Sequence, residues 1–482
     1  MEYAAKLNTN PMKKLLHIFI PLFLFIIGLW ACNSDDDFSS DTDLKLTFSS
    51  DTISFDTVFT TIGSSTRQFK IYNKNKKSLN IESIELMNAA KSGFRINIDG
   101  QKGTSFSNVD ILKKDSLFAF LEVTVDPLNS NNPTLIRDSI RFVTNGNTQY
   151  VQLEAIGQDV NKWNVKIIDS DTTLTGEKPF LIYDSIVVKK GVTLRLDKNT
   201  RLYFRNKAAF HIYGTLIAQG TVKEPIVMRG DRMDNIQSGI PFDRVSGQWD
   251  GVYIYRDSYG NILDNVYIRN GTNGLIFFES SPLNKKATLN STIVHNTSQN
   301  GVVAINCNID ATNCLFTNSK RSALMVAGGK YSFLHCTIAN YYFWSSRLQE
   351  ALSICNYTDL SKSFPLIQCN FTNSIIYGSA TKELIFQKAN NTTFDYQFQN
   401  CIVKGEETND AHFTNIIWNK NPLFRSVNQD RDFSYNFELE SGSPAIDTAD
   451  KTYSLLAPTD LNGNSRLNDN NPDMGCYEWR NK

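Results

Sequence analysis

From residue 44 onward, apolar and polar side chains alternate in short segments, with few stretches of helical periodicity. "LKLTFSS", "ISFDTVFT", "RQFKIYN", "LNIESIEL", "FRINI", "FAFLEVTVDP", "DSIRFVT" and "YVQLEAIG" are separated by Asn, Lys, Gly, Ser and Pro clusters. Period-two alternation broken by turn residues predicts an all-β sandwich over 44–160. From about Asn161 the pattern becomes repetitive. Six octets, "LDNVYIRN" at 263, "LNSTIVHN" at 289, "ATNCLFTN" at 311, "FLHCTIAN" at 333, "FTNSIIYG" at 371 and "FQNCIVKG" at 398, start 26, 22, 22, 38 and 27 residues apart. A period near 22 with variable insertions is that of a coil in which each turn is one rung.

The octet positions have distinct chemistry. The fourth is small (Val266, Thr292, Cys314, Cys336, Ser374, Cys401) and the sixth uniformly apolar (Ile268, Val294, Phe316, Ile338, Ile376, Val403), so both should face inward. The fifth and seventh should face out, and Leu315→Ala should therefore cost much less than Phe316→Ala. The eighth reads Asn270, Asn296, Asn318, Asn340, Gly378, Gly405, residues that tolerate a left-handed turn. Stacked Asn amides there should bond to the rungs above and below. A second strand follows in each rung ("GLIFF", "GVVAI", "ALMVA", "ALSIC", "LIFQ").

These features resemble the pectate-lyase-like superfamily, which implies a right-handed parallel β-helix over 161–438 with around a dozen rungs, about 55–60 Å long at ~4.8 Å per rung. "GVTLRLDKNTRLYFRNKAAFHIYGTLIAQGTVKEPIVMRGD" from 191 and "GQWDGVYI" resemble the opening rungs of such proteins. The stretch from Leu439 to Trp479, within 439–482, resembles their C-terminal signature and is expected to cap the open end. The 44–160 sandwich resembles ASH/MSP-like immunoglobulin-type domains, which implies a spacer or contact module. The fold class is thus all-β, an Ig-like sandwich followed by a β-helix.

Ahead of these units, Lys13 and Lys14 precede an apolar run from Leu15 to Trp30, the layout of an export signal over 1–31. "LWAC" resembles a lipobox in which Cys32 is lipidated, although Trp30 departs from the usual smaller residue. An acidic tether spans 32–43, and its Asp35, Asp36 and Asp37 resemble the signal that sends some lipoproteins to the cell surface. The expected location is the outer membrane, anchored by lipid and exposed outside. Lys+Arg and Asp+Glu are equal at 49 each, which gives no basic field for nucleic acid.

Chemistry is sparse. The outward fifth and seventh positions carry no Asp or Glu, no metal site is expected, and no cofactor is implied. Asp243, Asp250, Asp257 and Asp264 lie seven apart, which matches no rung. Asp460, Asn462, Asn464, Asp469 and Asp473 resemble a calcium loop that lacks its closing Glu, so turns are the simpler reading. The seven cysteines after Cys32 form no CxxC pair and read as buried thiols. The 38-residue rung carries Tyr341, Tyr342, Phe343 and Trp344 with Arg347, either a binding platform or a plug over an apolar face. The reading is a non-catalytic surface lipoprotein for adhesion or glycan or protein binding. The alternatives are a polysaccharide lyase or glycoside hydrolase with its site in 161–262, and a structural envelope component.

Overall fold

The computed structural model describes residues 37–236, 239–359, 362–390, 392–427, 434–468 and 471–481. The export signal, Cys32, Asp35 and Asp36 lie outside them. Among the described residues no helix is long and apolar enough to cross a membrane.

The described residues divide into two units, one up to residue 126 with 135–156, the other 127–134 with those from 157 onward. The first contains two five-stranded sheets with antiparallel registers such as Phe69↔Ala119 and Ile84↔Phe142. Alternation puts Phe69, Ile71, Ile81, Ile84, Leu121 and Phe142 in its core. The expected tether ends earlier than residue 43: the Asp37 carbonyl accepts Ser78 N, and Phe38 bridges to Ser78.

The second unit is a hydrogen-bonded network of 24 strands in sequence order. Its parallel registers fall into three columns, here sheets A, B and C, visited in turn by each rung. The first positions of all six octets lie in one line, Leu263↔Leu289↔Ala311↔Phe333↔Phe371↔Phe398. The line runs back through Ala218, Leu196 and Leu174 and on to Phe413. These ten residues give about 43 Å of coil at ~4.8 Å per rung, shorter than expected because long excursions consume chain without adding rungs. Stacking of like on like follows from the register: the Phe333, Phe371, Phe398 and Phe413 rings sit 4.6, 4.8 and 5.0 Å apart.

The fourth and sixth octet positions are buried as their chemistry requires, and all seven described cysteines are free and buried. The third position, not singled out in the sequence, makes the bend from sheet A to sheet B. Asn265, Ser291, Asn313, His335, Asn373 and Asn400 all have φ between 45° and 55°, where a short polar side chain lowers the steric cost. The eighth-position stack bends sheet B toward sheet C, with Asn270, Asn296 and Asn318 at φ 66°, 60° and 55°. Its amides are not a continuous ladder. Asn296 Nδ2 donates to Asn270 Oδ1 at 3.1 Å, whereas Asn340 bonds backbone groups and Asn318 Oδ1 accepts Tyr341 N. Glycine then opens the sheet C strands at a crowded corner: a Cβ on Gly274 would lie 2.3 Å from Val294 Cγ1.

The C-terminal segment differs from expectation. It runs along the side of the coil, against outward sheet B residues, rather than across its end. Leu315, Ala339, Ile375, Tyr377 and Ile402 form a second apolar cluster with Phe424, Phe437, Leu439, Ala445, Leu461, Met474 and Cys476. Leu315 therefore points away from the coil's core and is still only 5% exposed. The polar residues of the resembling signature hold this segment down. Arg466, fully buried, pairs with Glu478 and donates to Asn313 Oδ1 at 2.9 Å. The Asp460 carboxylate accepts Asn462 N, Asn464 N and Glu478 N. Backbone amide donors thus occupy both Asp460 carboxylate oxygens, and Asp469 lies outside the described residues.

Candidate functional site

The outer face of sheet B is concave where the C-terminal segment stops short of the first rungs. A cleft of about 390 Å³ opens there, lined by Asp243, Arg244, Tyr267, Arg269, His295, Tyr435 and Glu438 among others. Sheet B supplies its floor, with Tyr267↔Ile293 and Arg269↔His295 in register. One wall is Asp243 and Arg244, on the excursion between Gly230 and Gly251, and the other is the strand Asn436–Leu439 with Ser434 and Tyr435.

Local structure fixes each group. Trp249 inserts into the core, stacks on Phe204 at 4.3 Å, and donates from Nε1 to the Arg269 carbonyl at 2.9 Å. Its burial anchors the return of the excursion. The asparagine stack holds the excursion's tip, with Asn270 Nδ2 donating to the Asp243 carbonyl at 2.8 Å and Asn296 Nδ2 to the Arg244 carbonyl at 2.9 Å. The Asp243 carboxylate lies 2.7 Å from Arg229 Nη1 and 3.2 Å from Arg269 Nε. Arg229 is buried behind it, and that burial lowers its pKa against the pull of Asp243. His295 shares a hydrogen bond with Thr317 Oγ1 at 2.8 Å and meets the Tyr435 ring edge-on. Burial, with Arg269 nearby, pushes its imidazole down to about 3, so it is neutral at pH 7. Glu438 pairs with Arg425 at 2.7 Å. Among the described residues, Arg229 and Arg269 thus converge on one carboxylate, Asp243, with Arg244 also lining the cleft.

The aromatic insertion reaches both sides of this cleft, at Ser246 and Tyr435. Tyr342 is 6% exposed and its hydroxyl bonds Ser246 at 3.0 Å; the Tyr341 carbonyl accepts the Tyr435 hydroxyl at 3.2 Å. Arg347 is bidentate to the buried Glu383, at 2.7 and 2.6 Å. Phe343 is exposed and Trp344 half-buried. Tyr341, Tyr342 and Arg347 thus make packing contacts, while Phe343 and Trp344 keep exposed ring surface.

The four heptad-spaced aspartates go to separate places: Asp243 to the cleft, Asp250 toward the face of sheet C, Asp257 to Lys190 and Asp264 to Asn290. The fifth and seventh octet positions carry no carboxylate, but the 230–251 excursion supplies Asp243 and the strand Asn436–Leu439 supplies Glu438. The available signal was rung length: Val227 and Tyr267 are register partners 40 residues apart, an oversized turn whose excess chain forms a wall.

A family model described as "Right handed beta helix region" matches residues 164–341. The coil is a right-handed parallel β-helix. No curated protein matches the sequence. Among solved structures, the chain is similar to a family 123 glycoside hydrolase from Clostridium perfringens at 9% identity over 26% of this chain and 30% of that one, TM-score 0.18. It thus spans less than a third of that enzyme's length. It is also similar to the periplasmic alginate epimerase AlgG (T265N mutant) at 11% identity, covering 55% and 84%, TM-score 0.23. A GH87 α-1,3-glucanase from Streptomyces thermodiastaticus aligns at 8% identity, covering 73% and 89%, TM-score 0.16.

Proposed function

We propose that this β-helix protein is a lipid-anchored surface lipoprotein that binds an acidic glycan in the lateral cleft of sheet B. The observation that supports the reading is the convergence of Arg229 and Arg269 on the single Asp243 carboxylate at the cleft. Guanidinium groups recognise carboxylate and sulfate through forked, charge-assisted hydrogen bonds. Tyr267 and Tyr435 add ring surface of the kind sugar C–H faces pack on. The anchor follows from Lys13, Lys14 and the apolar run ending at Cys32, and the surface address from Asp35–Asp37. Retention of the full-length protein on uronate and sulfated polysaccharides, with dextran as the neutral control, tests this. Equal retention on dextran would remove the charge argument.

A second reading has a specific observation behind it: Asp243 and Glu438 line one cleft, and paired carboxylates can act as acid and base on a glycan. Both are engaged by arginines, and the imidazole is neutral with one nitrogen bonded to Thr317, which favours holding a ligand over moving protons. Release of reducing or unsaturated ends from a bound acidic glycan, lost in Asp243→Asn and Glu438→Gln, would establish the enzyme instead.

A further inference from the structure

Sheet C carries a different surface. Its register aligns His211↔Tyr253↔Ile276 at one outward position, with Tyr213, Tyr255 and Phe278 two residues on in the same three rungs. Tyr213 and Tyr255 stack at 4.0 Å and 9°, and Tyr255 and Phe278 at 4.9 Å and 22°. Beside them His211 lies over Tyr253 at 5.6 Å. His211 Nδ1 and the Tyr255 hydroxyl share a hydrogen bond at 3.1 Å, and Asn273 Nδ2 donates to the Tyr253 hydroxyl at 3.2 Å. Tyr213, first in its column, is 41% exposed. Further along, the same two positions become aliphatic: Val303 and Ile305, then Met325 and Ala327. These polar groups are therefore confined to the early rungs.

We propose that this row is a second saccharide site, for a neutral glycan chain lying along the coil axis. Three phenols, an imidazole and an amide on successive rungs offer donors and acceptors at a repeat of ~4.8 Å, which suits a polymer with regularly spaced hydroxyls. The exposed face of Tyr213 offers a surface for a sugar ring's C–H groups. The local charges disfavour an acidic ligand. Asp184 and Asp250 both act on His211, and burial lowers the imidazole's pKa. Two cations at the margin are paired, Lys190 with Asp257 and Arg256 with Glu279, while Lys189 lies exposed in the rung before Tyr213. This site does not depend on the sheet B cleft.

Affinity electrophoresis of the full-length protein through gels containing mannan, xyloglucan, laminarin or dextran tests the proposal, with a polyuronate gel run in parallel. At least one neutral polysaccharide should retard the wild type. Tyr213→Ala should weaken that retardation tenfold or more, and Tyr213→Phe should restore most of it by keeping the ring. Asp250→Asn, which leaves the stacked rings in place, reports the polar groups independently and should weaken neutral-glycan retardation severalfold. Polyuronate retardation and melting temperature should stay near wild type in Tyr213→Phe and Asp250→Asn. No retardation by any neutral polysaccharide overturns the proposal. So does unchanged retardation in both Tyr213→Ala and Asp250→Asn, or capture of a protein partner by this face with no glycan bound.

Discussion

At residue scale, direction relative to the coil and exposure to solvent are separate questions. Phe316 and Leu315 are neighbours on one strand. Phe316 points into the coil, and truncation to Ala should cost about 3–5 kcal/mol. Leu315 points out, and pattern alone would leave it in water. The C-terminal segment covers it, so Leu315→Ala should cost about 2–4 kcal/mol. Chemical denaturation of both variants checks this, and a near-zero cost for Leu315 would mean the segment does not lie there. His295 gives a pH signature. Its folded pKa is lowered to about 3 from an ordinary 6.5, so between those values the unfolded chain binds a proton that the folded one refuses. Stability therefore falls as pH drops through that window. His295→Gln should have a shallower acid limb than wild type in melting curves from pH 7 to 4; parallel curves would mean the imidazole titrates normally.

At the scale of elements, the repeat was largely legible. The octets' first positions coincide with the register, because inward positions of stacked rungs face the same neighbours and so converge on the same chemistry. The excursions were not legible. Residues 231–250 and the C-terminal segment carry no repeat, and their places are set by single anchors: Trp249 in the core, Asn270 and Asn296 beneath the loop, Arg466 under the segment. Nothing in the repeat pattern shows that the chain before Tyr267 brings Asp243 between Arg229 and Arg269. The Arg466 anchor is testable. Arg466→Met leaves Glu478 buried without its partner, and loss of one member of such a pair costs about 3–5 kcal/mol. Protease should then release the C-terminal segment before the coil unfolds. Tyr342→Ala, in the aromatic insertion, should likewise lower stability by a few kcal/mol.

For the whole molecule, a β-helix presents long side faces, and this one differentiates them by what lies on top. Among the described residues, the C-terminal segment covers sheet B except over its arginine-bearing early rungs, and the proposed function uses that gap. Anchoring at Cys32 would hold the chain at the membrane, and Cys32→Ala should move it out of the membrane fraction, since a processed lipid would be its principal hold. Unchanged fractionation would point to the apolar run itself. The most direct test of the account is calorimetric titration of the full-length protein with a uronate oligosaccharide at two salt concentrations, wild type against Arg269→Ala. The account predicts wild-type binding that weakens with salt, and a loss of tenfold or more, about 1.4 kcal/mol, in a variant that still folds. Salt-independent binding, or an Arg269→Ala protein that binds as tightly as wild type, would contradict it.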